Sequence, residues 1–273
     1  MTASFAALRG PLLIAHRGAS AEHVENTLPA FEAALALGAD VIESDVHVTR
    51  DGHAVLAHDE DGLRVAGDPR AIAACALAEV ERWDLSRTRP GSAPCAIPTL
   101  GAALARLPDA LFNLDLKPSD ASCVPRVLEV IARHRAEPRV LLTSFSAAIT
   151  RRIRALGYGG PVGLGQAEAA LAVFAPLRLL RRRGALSRAG ARLQIPVRAY
   201  GIPLARRALV DKLSALSVPV DYWVVNDTAV ARGLLELGAS GIVTDDVRGM
   251  ARLFEQSPHT AAWRARHGRG SAA

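Results

Sequence analysis

The sequence predicts an α/β fold, a (β/α)8 TIM barrel with a small insertion after the third strand. Three observations carry that reading. Short apolar runs alternate with segments of helical periodicity along most of the 273 residues, a rhythm that requires parallel strands joined by right-handed crossovers. Seven of those runs stop in polar clusters: His16-Arg17, Glu43 to Asp45, His58-Asp59, Asp115 to Lys117, Ser144, Asn226-Asp227 and Asp245. A closed parallel barrel brings every such strand end to one carboxyl-terminal mouth, where barrels carry their chemistry. A doubly wound open sheet is the runner-up, and it would not converge so many strand ends on one point.

Residues 12–15, Leu-Leu-Ile-Ala, read as a buried strand opening into the turn His16-Arg17-Gly18, where glycine lets backbone approach a ligand closely. Residues 28–38 follow with apolar helical spacing, a capping residue at Asn26 or Thr27, an early proline and a terminal glycine. Val41 to Val48 reads as a strand, so Glu43 and Asp45, two residues apart, share a face. Asp51-Gly52 is a tight-turn signal that leads directly into a strand at 54–57. Residues 60–97 break the rhythm with Gly, Asp and Pro, and read as an insertion capping one end of the domain, with a helical piece near 70–83.

A helix at 99–107 returns the chain to a strand at 111–117, whose polar face carries Asn113, Asp115 and Lys117. Alternation then resumes with a helix near 121–135, a strand at 140–145, a helix near 147–156 and a strand at 162–164. In the difficult stretch 167–198, Pro176 interrupts an apolar run that ends in Arg181-Arg182-Arg183; an ordinary outer helix or a basic amphipathic helix on a membrane would fit. A helix near 204–216, a strand at 222–225, a helix near 228–237 and a strand at 241–244 complete the set, and the basic, glycine-rich tail after Ser257 reads as frayed. Residues 1–257 are therefore expected to be one catalytic barrel domain and 258–273 a flexible tail.

Composition narrows the function. Half of the residues are hydrophobic, enough for a substantial core. The net charge of +6 sits largely in the 181–183 run and in Arg264, Arg266 and Arg269, and with only 4% aromatic residues there is little to stack on bases, so no nucleic-acid partner is expected. Cys75, Cys95 and Cys123 lack metal or disulfide spacing. With no signal sequence and no spanning run, a cytoplasmic protein is expected, with at most weak peripheral membrane contact through the Arg181 region. Oligomeric state is not legible.

The polar strand ends suit phosphoryl chemistry. Glu43, Asp45 and Asp115 repel one another unless a cation joins them, and an all-oxygen set suits Ca²⁺ or Mg²⁺ better than zinc. These three carboxylates against Arg17 and Lys117 leave one net negative charge; a divalent ion reverses it, complementing a phosphodiester monoanion. Arg17 adds a guanidinium fork that matches phosphate. Lys117 and Lys212 are the only lysines in the chain, so Lys117 is unlike the arginine-rich surface, although a salt bridge to Asp115 would also account for it. His16 and His58 each follow a strand and suit the base and the acid that diester cleavage needs; His23, His47 and His53 lack such neighbours and read as structural.

The collinear series His16-Arg17-Gly18, Glu25-Asn26-Thr27, Glu43-Ser44-Asp45-Val46, His58-Asp59, Asn113-Leu114-Asp115-Leu116-Lys117, Trp223-Val224-Val225-Asn226 and Gly241-Ile242-Val243-Thr244-Asp245 resembles the glycerophosphodiester phosphodiesterase family. The resemblance spans residues 12 to about 250. It implies a (β/α)8 barrel with an insertion after the His-Asp pair, and hydrolysis of glycerophosphodiesters to an alcohol and glycerol 3-phosphate. By the same matching His16 and His58 would be the acid/base pair, Arg17 and Lys117 would hold phosphate, and Glu43, Asp45 and Asp115 would bind the metal. Trp223 would line the glycerol or alcohol pocket, or else serve as barrel core. Asp115 departs from the family's usual glutamate by one methylene. The resemblance also implies attack by the substrate's own glycerol hydroxyl through a cyclic phosphate. Competing readings are a phospholipase D-like lyase, a lysophospholipid-cleaving barrel, or a non-catalytic barrel that binds anionic lipid.

Overall fold

The computed structural model describes residues 3–8, 10–117, 121–183, 186 and 191–267. The strands of its main sheet are β1 (Leu12–His16), β2 (Val41–Val48), β3 (Ala54–Leu56), β4 (Leu111–Leu116), β5 (Val140–Thr143), β6 (Leu193–Pro196), β7 (Val220–Trp223) and β8 (Gly241–Thr244). All but β3 form one curled parallel path in the order β5-β4-β2-β1-β8-β7-β6, while β3 pairs antiparallel with β2 as the Asp-Gly turn requires. Between the two edge strands runs the segment 161–164. Leu142 N donates to Pro161 O, Gly163 N to Leu142 O, and Leu164 N to Arg192 O, so this segment touches both edges.

Helices α1 (Leu28–Ala36), α2 (Leu100–Arg106), α3 (Val124–Arg133), α4 (Ala147–Ala155), α5 (Gln166–Phe174), α6 (Leu177–Arg183), α7 (Arg207–Ser214), α8 (Thr228–Glu236), α9 (Val247–Gln256) and α10 (Ala261–His267) connect and flank the strands. Local chemistry sets their starts. Thr27 caps α1 by accepting from Ala30 N, Asp227 caps α8 through Ala229 N and Val230 N, and Asp246 caps α9 through Gly249 N. Two apolar layers lie between strands and helices, one around Phe31, Phe112 and Leu142, the other around Leu193, Tyr222 and Phe254. A smaller cluster of Leu12, Ile14, Val41, Leu111 and Val243 is joined by Phe5 and Leu8 of the amino-terminal segment. No helix among the described residues is long and apolar enough to cross a membrane.

Several expectations are corrected. The strand foreseen at 222–225 is Val220–Trp223, because the charged Asp221 is buried inside it: its carboxylate accepts from Arg192 Nε at 2.8 Å and Gln194 Nε2 at 3.2 Å. Gly241 on the neighbouring strand makes room for it, since a Cβ there would stand 2.4 Å from Asp221 Oδ1. The helical piece foreseen near 70–83 is instead a strand at Asp68–Ala71, a 3₁₀ turn and a single helical turn at Leu77–Val80, held by its own apolar cluster of Val65, Ile72, Val80, Trp83 and Leu85. The stretch 167–198 resolves into α5, α6 and β6, with Pro176 between the helices; residues 184–185 and 187–190 lie outside the described residues.

The frayed tail is corrected over 258–267. There α10 buries Trp263, which is 2% exposed, stacks edge-on to Phe254 and donates from Nε1 to Gly38 O at 3.1 Å. Arg266 Nε and His267 Nε2 both reach Asp40 Oδ1, at 2.9 and 2.8 Å, while Asp40 Oδ2 accepts from Leu13 N. The basic composition that reads as solvated thus pairs with one buried carboxylate. Residues 268–273, Arg269 among them, lie outside the described residues. Truncating Trp263 to alanine is expected to cost about 3–5 kcal/mol; urea unfolding should show a lower midpoint at unchanged slope, and a loss under about 1 kcal/mol would mean that α10 carries no such anchor.

Candidate active site

Every polar side chain singled out by the strand-end pattern for chemistry meets in one place. His16, Arg17, Glu43, Asp45, His58, Asp115, Lys117 and Trp223 all line a single cavity of about 740 Å³ at the carboxyl ends of the strands. Register explains the convergence: His16 pairs with Glu43 across β1 and β2, and Asp45 with Asp115 across β2 and β4. Side chains two apart on a strand share a face, so Glu43 with Asp45, and Asn113 with Asp115, point into the same space.

Asp45 and Asp115 are buried and Glu43 is nearly so; three carboxylates this close repel one another, and their environment records it. Glu43 is pushed up to about 8 by burial and then by the charges of Asp45 and Asp115. Burial also raises Asp115, although Lys117 pulls the other way. Lys117 Nζ lies 3.0 Å from Asp45 Oδ1 and 2.8 Å from Asp115 Oδ2, so the salt bridge to Asp115 is real and extends to Asp45. Asp45 is further held by Asn26 Nδ2 at 3.4 Å, and Asn26 in turn accepts from Ser44 Oγ at 2.7 Å.

Arg17 stands at φ 55°, in the left-handed region, followed by Gly18 at φ 83°, where a Cβ would lie 2.8 Å from the Ala30 backbone. That turn points the guanidinium into the cavity. Its Nη1 donates to Glu25 Oε1 at 2.9 Å, while Nε, 3.6 Å from Asp45 Oδ2, is buried without a hydrogen-bond partner. Asn113 Oδ1 is likewise buried and unpartnered, its Nδ2 donating to Gln194 Oε1. Trp223 lines the cavity and packs on the interior cluster, with its ring edge-on to Phe145 at 6.1 Å.

Each histidine is oriented by a carboxylate. His16 Nδ1 donates to Asp245 Oδ1 at 2.6 Å, leaving Nε2 turned toward Glu43 at 3.9 Å. Burial works against a charge on His16, yet the Asp245 hydrogen bond and Glu43 leave its pKa raised. Burial would raise Asp245 too, but hydrogen bonds from His16, Asn226 and Ser20 carry it down to about 2. His58 Nδ1 donates to Asp59 Oδ1 at 2.7 Å. Asp59 accepts from Arg64 Nε at 2.6 Å, and Arg64 forks onto Glu25, which also receives Arg17. His47, read as structural, donates from Nε2 to the His58 carbonyl at 3.2 Å. The positioning parts played by Asp245, Asp59, Arg64 and Asn113 go unassigned from sequence; Asp245 and Asp59 did lie in the polar strand-end clusters, whereas nothing local marks Arg64 as a partner of Glu25.

As they stand, no three His, Cys, Asp or Glu side chains among the described residues are grouped to hold a metal ion. Asp45 and Asp115 are drawn onto Lys117 instead. The donor set nevertheless fits a hard divalent cation: it is all oxygen, it is buried, and Glu43 remains short of compensating charge.

The model of the glycerophosphoryl diester phosphodiesterase family matches residues 16–248. A probable glycerophosphodiester phosphodiesterase 2 of Mycobacterium tuberculosis is 33% identical over 251 residues, covering 89% of this chain and 90% of that protein. Lysophospholipase D GDPD1 of Homo sapiens is 27% identical, covering 85% and 82%. A phosphodiesterase of Oleispira antarctica, solved with the product sn-glycerol-3-phosphate, superposes at a TM-score of 0.74 with 22% identity over 90% of this chain and 98% of that one, a likeness of fold. The chain belongs to the glycerophosphoryl diester phosphodiesterase family and is an enzyme of that class.

Proposed function

We propose that this enzyme hydrolyses glycerophosphodiesters to an alcohol and glycerol 3-phosphate, with His16 and His58 as the acid/base pair. Arg17 and Lys117 bind the phosphate, Trp223 lines the organic side, and Glu43, Asp45 and Asp115 would hold Ca²⁺ or Mg²⁺. The barrel reading goes with it: residues 161–164 serve as the eighth stave of a (β/α)8 barrel that forms one domain, and 60–97 as its insertion. The observation that carries the proposal is the meeting of all eight side chains in one cavity.

The proton chemistry follows from the two carboxylate–histidine pairs. With Nδ1 committed to Asp245 or Asp59, each imidazole exchanges protons at Nε2. One takes the proton of the attacking hydroxyl and the other supplies one to the departing alkoxide, each worth ~10²–10⁴-fold. The unpartnered Arg17 Nε is a buried donor left open for a phosphoryl oxygen. A divalent ion, when bound, supplies charge that stabilises the phosphoryl oxygens. Asp115, one methylene shorter than the family's glutamate, keeps its carboxylate on Lys117.

His16→Ala and His58→Ala should each lower turnover at least about a hundredfold while circular dichroism stays unchanged; wild-type rates in either variant would refute the pair. Phosphorus NMR should show glycerol 3-phosphate accumulating, and cyclic phosphate alone would instead support the lyase reading. Chelation should abolish turnover and Ca²⁺ or Mg²⁺ restore it, so activity that survives exhaustive chelation removes the metal from the scheme. In Asp245→Asn, His16 loses its anchor and turnover should drop about a hundredfold. Because Asp245 titrates near 2 when folded and near 3.8 when unfolded, its contribution is present above pH 3.8 and lost as pH falls through 2. Discounted for its partial exposure, the variant should be about 1 kcal/mol less stable at neutral pH, converging with wild type near pH 2; a difference independent of pH would contradict this.

A further inference from the structure

Between Glu168 and Asp211 the chain carries nine arginines and no acidic residue, while the rest of the sequence holds more acids than bases. Positive charge is thus gathered into one stretch. Glu168 does not offset it, because Arg154 Nη1 and Nη2 fork onto its carboxylate at 3.1 and 3.0 Å. Arg178 and Arg181 on α6, and Arg198 further along, are exposed.

The same stretch leaves large apolar side chains bare. It folds as α5, α6 and β6, followed by a hairpin in which Arg198–Ala199 pairs with Ile202–Pro203. Phe174 at the end of α5 is 67% exposed, Leu179 between the two α6 arginines 37%, and Tyr200 and Ile202 on the hairpin 96% and 39%. Phe174, Tyr200 and Ile202 line the active-site cavity, joined by Phe145, which is 59% exposed. Arg198 lines it too, so charge and apolar surface meet at its mouth. Exposed apolar side chains scattered singly mean little, whereas a group of them around one opening marks a contact surface.

Anchored backbone presents these side chains. Tyr200 at φ 48° and Gly201 at φ 79° form the two-residue left-handed turn that hairpins favour. Lys212 Nζ donates to Val173 O at 2.9 Å and Ala175 O at 3.2 Å, which ties down the end of α5 that carries Phe174.

We propose that this face docks on an anionic lipid bilayer, with Phe174, Leu179, Tyr200 and Ile202 entering the headgroup layer and the arginines around them on the lipid phosphates. Basic side chains interleaved with bare aromatic and aliphatic ones call for a partner that is anionic at its surface and apolar ~5–10 Å beneath it. A bilayer with acidic headgroups is both. A nucleic acid or an acidic protein supplies the charge without the apolar depth. Docking in this way opens the cavity onto the headgroup layer. The inference goes beyond hydrolysis and is tested without turnover.

Sedimentation of the full chain with vesicles reads the partition, using phosphatidylcholine alone and phosphatidylcholine with an equal share of phosphatidylglycerol. Wild type should sediment with the mixed vesicles and stay in solution with the neutral ones, and added salt should release it. Arg178→Glu with Arg181→Glu should weaken the partition at least about 25-fold, at about fivefold per charge removed. Phe174→Ser with Tyr200→Ser should weaken it at least about tenfold while circular dichroism stays unchanged. If that pair lowers the melting temperature, Tyr200→Ser alone takes its place and should still weaken binding about threefold. Equal sedimentation with both vesicles, sedimentation with neither, or wild-type partition in the charge or aromatic variants overturns the proposal. So does binding of soluble polyglutamate without binding of vesicles, which would make the face a site for an acidic protein.

Discussion

Like-charge repulsion is the constraint around which this molecule is arranged. Parallel pairing of β2 and β4 sets Asp45 beside Asp115 and puts Glu43 one step below, all in a space that water barely reaches. Such a trio can exist only if positive charge is delivered to it or protons are retained. Both occur here: Lys117 bridges two of the carboxylates, and Glu43 keeps its proton well above the usual carboxylate range. An isolated buried acid would be a defect, whereas here Asp45 and Asp115 share one lysine and Glu43 holds its proton.

The compensation spreads outward as a chain of ion pairs. It runs from Lys117 through Asp45 to Arg17, then through Glu25 and Arg64 to Asp59 and the ring of His58. Arg64 comes from the small subdomain after β3, so that segment supports one histidine from behind rather than merely covering an end of the domain. On the opposite flank, His16 is held by a separate set in which Asn226 and Ser20 tie down Asp245. Each imidazole thus has one nitrogen anchored by a different element, which fixes ring orientation independently at the two sides of the cavity.

What could be read in the sequence and what could not divides along a physical line. Period-2 alternation places Glu43, Asp45, Asp115 and Lys117 because strand geometry makes face-sharing a local property. The same locality hides partners distant in sequence. Asp221 looks wrong for a buried strand until Arg192 and Gln194, about thirty residues away, are seen to satisfy it. β6, Leu193–Pro196, is no shorter than β5, β7 or β8 but ends in a proline, which demotes a strand reading. The tail misleads for a related reason: Arg266 and His267 are surface-like by composition, and only the buried Asp40, more than two hundred residues earlier, makes them interior partners.

That last pairing bears on how the chain is made. β1 can complete its hydrogen bonding only when β8 lies beside it, and the carboxylate after α1 waits for a helix ending at His267. A chain emerging from its amino terminus therefore keeps β1 as a bare edge until nearly all of its residues exist, and such edges recruit other strands. Biogenesis, more than the finished state, is where this architecture is most vulnerable: a truncated translation product would lack the strand that quenches its own stickiness.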